Sequence, residues 1–271
     1  MLAQILFVVW RESIEALLVI GILQAWLRQN GTPRAGAYLW GGVAAGLAGA
    51  GALSFVLTRF GDSLPPEGQD LFQMVLMLVA AGLVVQMVLW MRRHGRTLKN
   101  QLESGLADHL ARGRLWGIFA LAAIAVMREG AETVIFLQGI LAATGWTGET
   151  MLAMSAAFAA AWASYGLLQA GGRYLSWRVF FRLTETMLLL LGCALFVNGA
   201  GYLVSLGVLP YGKPLWDLSR FLDDARPLGG VVAALTGYRS APDAVTLASW
   251  LIYWGAIALA FRGQSRRLAA A

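Results

Sequence analysis

Seven stretches of roughly 20 residues, in which apolar side chains run almost without interruption, set the ground plan of this chain. They extend from Leu2 to Leu27, Tyr38 to Leu57, Leu71 to Met91, Leu115 to Ala143, Met151 to Ala170, Leu183 to Val208 and Val245 to Phe261. Each is long enough to cross a hydrocarbon layer about 30 Å thick as an α-helix. None shows the strict alternation of a barrel strand, and a helix satisfies its own backbone hydrogen bonds in lipid where an open strand cannot. The pattern predicts an all-α, polytopic membrane protein with seven transmembrane helices. Trp26, Tyr38, Trp40, Trp90, Trp116, Trp146 and Trp177 fall near the ends of these stretches, as expected for amphipathic rings at the headgroup layer.

Composition narrows the class. A chain of 271 residues that is 58% hydrophobic and 13% charged has too little polar surface for a soluble enzyme or a disordered segment. Its single cysteine, Cys193, rules out a disulfide scaffold. The net charge of +6 does not signal a nucleic-acid partner, because the basic residues lie in short runs between apolar stretches, where they govern topology. Fourteen Lys and Arg fall in one set of alternate connections and five in the other. The set rich in basic residues follows stretches one, three, five and seven, which puts the N-terminus outside and the C-terminus in the cytoplasm. The first stretch has neither a basic leader nor a small-residue cleavage site and is expected to stay as the first helix.

Of the 21 basic residues, Arg11 and Arg128 remain inside apolar stretches. Of the 15 acidic residues, Glu12, Glu15, Glu129, Glu132 and Glu185 do. Six of these seven form one pattern written twice: Arg11-Glu12-Ser13-Ile14-Glu15 in stretch one and Arg128-Glu129-Gly130-Ala131-Glu132 in stretch four. On a helix, Arg and the second Glu of Arg-Glu-x-x-Glu lie one turn apart on the same side, with the first Glu close by. Each ionised residue at a helix centre costs about 2.5–3.5 kcal/mol against lipid, so these groups must line an interior. Facing helices would gather four carboxylates and two guanidiniums, a surplus of negative oxygen suited to a hard cation. The plainer alternative is an intrahelical salt bridge that merely lets a polar patch sit between helices, and the repetition speaks against it. Glu185, near the cytoplasmic end of stretch six and near Arg182, is an accessory candidate or a snorkelling interfacial residue.

Stretches one and four are three crossings apart and so run in opposite directions. Sliding stretch three onto stretch six by 112 positions pairs Leu71-Phe72-Gln73 with Leu183-Thr184-Glu185, and Gln86 with Asn198. The chain therefore reads as two inverted three-helix repeats plus a seventh helix within a single transmembrane domain: residues 1–91, an inverted second repeat at 115–208, and an extra helix with tail at 244–271. Inverted repeats with a polar site at their interface are a recurrent transporter plan.

With both motifs placed, the chain resembles the oxidase-dependent high-affinity iron permeases of fungi and bacteria, in the compact bacterial form. The resemblance implies a permease of the bacterial cytoplasmic membrane, not an enzyme. It would import iron made available by oxidation of Fe(II) to Fe(III) at a partner oxidase, with Glu12, Glu15, Glu129 and Glu132 as metal ligands and Arg11 and Arg128 as their charge partners. It implies iron as transported substrate with no permanently bound cofactor, and periplasmic copper or haem proteins as partners; homo-oligomerisation is left open. Two departures stand out: Ser13 where the motif commonly has Gly, and Gln73 where many relatives carry an acid. The alternatives are a transporter of another divalent or trivalent metal, and a membrane subunit of a metal redox enzyme.

The remaining features carry less. His94 and His109 lie in the basic connection after stretch three, outside the span, which argues against intramembrane haem. Met74 with Met77, and Met151 with Met154, have helical spacing suited to Cu(I), but thioethers are ordinary packing. Gly41, Gly42, Gly46, Gly49 and Gly51 in stretch two predict close helix contact. Asp62, Glu67, Asp70 and Glu149 make the outer connections acidic, a field that gathers cations. The segment from Gly207 to Asp243 is too long for a turn and predicts an interfacial helix or a cap over the outer mouth.

Overall fold

A computed structural model describes residues 2–30, 33–94, 104–105, 107, 115–141, 145–170 and 177–270. Among the described residues it contains eight long or short α-helices: α1 Leu2–Gln29, α2 Pro33–Ser63, α3 Pro66–His94, α4 Leu115–Leu141, α5 Gly148–Ala170, α6 Trp177–Ser205, α7 Pro227–Thr236 and α8 Ala244–Ala270. Seven of them cover the seven apolar stretches. Most of the basic connection after α3, with Glu103, Asp108 and His109, and also Arg173, falls outside the described residues.

Among the described residues, five helices are long and apolar enough to cross a membrane: Ala35–Ser63, Pro66–Arg92, Gly148–Leu167, Arg182–Ser205 and Ala244–Gly263. α1 and α4 have the length, 28 and 27 residues, but their apolar runs are broken by the two Arg-Glu-x-x-Glu clusters. The two helices least suited to lipid are therefore those whose charges need an interior.

Packing joins the two halves of the chain. The most extensive contact is between α2 and α4, followed by α3 with α6 and α1 with α5. α2 and α4 run side by side in parallel. A Cβ at Gly42 or Gly46 would collide with α4, the latter lying 2.8 Å from the Ala123 carbonyl and 2.9 Å from Val126 Cβ. Gly130 of α4 faces Ala50 in return, and farther along Gln138 donates to Thr58 Oγ1 at 2.7 Å. Small residues let helix backbones approach where no hydrophobic drive separates protein from lipid. Gly51, by contrast, has nothing within 4 Å of an added Cβ, so the expected contact does not extend to it. Gly46→Val is accordingly expected to cost about 1–3 kcal/mol by overpacking and to lower the thermal midpoint of the purified protein. Gly51→Ala should leave that midpoint within error, and equal effects at the two positions would refute this account of the interface.

α3 and α6 are antiparallel and joined by polar contacts toward both ends. Tyr202 donates to Gln73 Oε1 at 2.6 Å, and Arg92 forms an ion pair with Glu185. Gln73 thus makes a neutral hydrogen bond to the neighbouring helix. α8 lies against α6, where Tyr253 donates to the Leu189 carbonyl at 2.8 Å; Cys193 is buried on the same helix. The connection between α6 and α8 contains the short helix α7. Pro227 starts it and Gly237 ends it in the left-handed conformation, φ 73°, with its N–H on the Ala233 carbonyl at 2.9 Å. Gly237 is required twice over, since a Cβ there would also stand 3.1 Å from the Ala194 Cα. α7 packs on α6 and on α1, and Gln4 near the start of α1 donates to the Ala234 carbonyl.

Candidate metal centre

α1 and α4 cross so that the two motifs meet. The helices are antiparallel, with Leu23 and Leu27 clustering with Ile118 and Ala122 at one end and the acidic residues facing each other nearer the middle. Carboxylate oxygens of Glu12, Glu15 and Glu129 all lie within 4.8 Å of one another. Glu132 is close enough to interact electrostatically with Glu12 and Glu15. All four glutamates and both arginines singled out by the motif are thus brought into one region.

The two arginines are held differently. Arg11 is 2% exposed. Its NH1 donates to Glu12 Oε1 at 2.7 Å, and its NH2 pairs with Glu15 one turn on. The remaining contacts go to sulfur: Met87 Sδ at 3.1 Å and Met91 Sδ at 3.4 Å, both from α3. Arg128 is 42% exposed; its Nε lies 3.1 Å from Glu132 Oε1, and its guanidinium sits 4.6 Å from the centroid of the Trp90 ring. Both Arg-to-second-Glu pairs have the i,i+4 spacing read from the sequence.

Several buried polar atoms at the centre find no hydrogen-bond partner among the described residues: Glu12 Oε2, Glu129 Oε2, Glu132 Oε2 and Arg11 Nε. A buried, unsatisfied carboxylate oxygen is costly. Three of them, on two facing helices, are hard oxygen donors that could hold a cation. For the Glu12, Glu15 and Glu129 oxygens, a triangle with edges at the 4.8 Å limit would put its centre about 2.8 Å from each, against the roughly 2.0–2.6 Å of metal–oxygen bonds. Four carboxylates against two guanidiniums leave a formal charge of −2, which a multivalent cation would offset.

Glu185 stands apart from this group. It is engaged by Arg92, whose guanidinium also lies 3.8 Å from the Phe261 ring centroid. Of the methionines at Cu(I)-like spacing, Met77 lies against Gly139 and Gly199, Met154 packs against the hydrophobic core, and Met151 is 55% exposed. Sequence reasoning missed Met87, Met91 and Trp90. Their signal was present, since Met87 and Met91 are one helical turn apart, but Trp90 reads equally as a boundary tryptophan until its neighbour across the fold is known.

The Iron permease FTR1 family model matches residues 2–264. The ferrous iron permease EfeU of Escherichia coli O6:K15:H31 is 27% identical over 246 residues, covering 90% of this chain and 89% of the relative. The ferrous iron permease EfeU of Yersinia pestis is 25% identical over 256 residues, covering 91% and 88% respectively. No solved structure matches.

Proposed function

The chain belongs to the iron permease FTR1 family, a family of transporters and not of enzymes, and on that premise we propose that it imports iron through the glutamate centre between α1 and α4. The observation that carries the reading is the convergence of Glu12, Glu15 and Glu129 within 4.8 Å, beside three buried carboxylate oxygens without donors. Carboxylates are hard donors, suited to Fe(III) and also able to hold Fe(II). In this reading a partner oxidase at the outer face converts Fe(II) to Fe(III), taking up one electron per ion, and the ion exchanges water for glutamate oxygens.

All seven long helices span the cytoplasmic membrane in this reading, with the N-terminus outside and the C-terminus inside, as the charge distribution favours. The centre then lies near mid-length of α1 and α4, at the bilayer midplane. Residues 1–91 and 115–208 act as inverted halves, and α8 is an addition. Support comes from the packing: the second helix of each half packs against the first helix of the other, α2 on α4 and α5 on α1, while α3 pairs with its counterpart α6. A two-fold axis in the membrane plane generates that exchange, and rocking one half against the other exposes a midplane site to either side. Asp62, Glu67 and Glu149, exposed in or beside the outer connections, concentrate cations at the entrance.

Proteoliposomes containing the purified protein are expected to accumulate radioactive iron. Fe(II) kept reduced by ascorbate and Fe(III) supplied as citrate, each with and without an imposed pH gradient, distinguish the form that enters and its driving force. Retained uptake in ten-fold excess Mn(II) and Zn(II) would support iron as cargo. Their full competition would reassign the substrate to another metal, and absence of iron flux would end the proposal.

A further inference from the structure

α3 contributes no acid to the centre, yet one of its turns touches both motif arginines. Met87 and Met91, four residues apart, lie one above the other, and their sulfurs accept from Arg11 at 3.1 and 3.4 Å. Trp90, on the adjoining face, presents its ring to Arg128 at 4.6 Å. We propose that this turn of α3 is the positioning element for both motif arginines and, through them, fixes where the glutamates stand when a metal cation arrives. The inference rests on the reading of that centre as an iron site.

A guanidinium carries five N–H donors, and at 2% exposure Arg11 has little water to satisfy them. Glu12 and Glu15 are already engaged. A further carboxylate from α3 would also hold the arginine, but it would draw the guanidinium away from Glu12 and Glu15 and add negative charge. Thioethers are neutral, weak and polarizable acceptors, so they steady Arg11 without competing for its charge. The face of Trp90 does the same for Arg128 through its quadrupole and leaves Nε on Glu132. The arrangement commits Oε1 of Glu12 and Glu132 to arginine and leaves Oε2 of each without a donor, available to metal.

This device is not an inheritance of internal symmetry. The repeat offset of 112 places Gly199, Tyr202 and Leu203 of α6 at the corresponding positions. None carries sulfur, and Tyr202 is engaged by Gln73. One half of the molecule therefore braces both clusters.

The test is the concentration dependence of initial iron uptake by the full-length protein in proteoliposomes, with ascorbate-reduced or citrate-bound iron as the probe, whichever the wild type carries. The double variant Met87→Leu/Met91→Leu nearly preserves side-chain volume while removing both acceptors. Its KM should rise by about three- to tenfold, the order expected for losing modest hydrogen bonds, with Vmax per folded protein little changed. Trp90→Leu should behave alike, and Trp90→Phe, which keeps an aromatic face, should restore most of the affinity. In an Arg11→Lys background the methionine changes should have no further effect, because the two sites act through one another. Met151→Leu, at an exposed methionine of α5, should match wild type. If wild-type protein carries no iron, the site reading fails and this inference with it. If wild type carries iron and Glu132→Ala abolishes that flux, but the α3 variants keep wild-type KM or lose only Vmax in proportion to folded protein, the positioning role is overturned and the site stands.

Discussion

Glu132→Ala is expected to abolish iron uptake while leaving the protein in the membrane at close to wild-type abundance. Glu132 is the most informative of the four acids because its arginine can survive alone. Arg128 is 42% exposed and retains the Trp90 ring, so truncating Glu132 does not strand a desolvated cation. The folding cost is that of a partly exposed pair, about 1 kcal/mol or less. The functional cost is much larger, because a buried oxygen facing Glu12 and Glu15 is removed from the cation seat. Loss of a group that merely orients a metal ligand weakens binding by roughly 10–100-fold, and loss of a ligand should reach at least the upper end. Uptake of radioactive iron, normalised to membrane protein by immunoblot, is the measurement. Normal uptake at normal abundance would remove Glu132 from the site.

Arg11→Ala should produce the opposite dissociation, in which the protein itself is lost. Its guanidinium is 2% exposed and paired with both Glu12 and Glu15. Removing it leaves two carboxylates facing Glu129 with no counter-charge from their own helix. Breaking a buried ion pair from one side costs about 3–5 kcal/mol, a large part of the stability of a typical domain. Arg128→Ala, at a half-exposed cation, should cost no more than about 1 kcal/mol. Thermal unfolding in detergent and steady-state abundance should therefore rank Arg11→Ala far below Arg128→Ala. Equal stability of the two variants would contradict the asymmetric burial of the two motifs.

What could be read from the chain and what could not divide along a physical line. Helix limits follow from runs of apolar residues and agree with the structure to within a few residues at most ends. The acids of the centre were legible because ionised groups in an apolar stretch are costly wherever they face lipid, and because the spacing within each motif fixes their common side. Partners across the fold were not legible. Glu185 sits beside Arg182 in sequence but meets Arg92 from α3, since α3 and α6 are antiparallel and their register is set by many apolar contacts at once. Trp90 illustrates the same limit: its place near the end of an apolar run fits both a headgroup ring and a cation platform. Gly51 belongs to the same glycine-rich run as Gly46 but lies on a face that α4 does not reach.

The charges that interrupt α1 and α4 also bear on how the chain is made. α1 is synthesised before α4, yet the helix that completes its electrostatic environment starts only at Leu115. At roughly 5–20 residues per second, translation delays α4 by several seconds or more after α1 has left the ribosome. Throughout that interval α1 is an unsatisfactory lodger in bare lipid, and its own α3 sulfurs arrive before its acidic counterpart does. On that order of synthesis α1 precedes its counterpart, and the polar centre closes only once the second motif has been made.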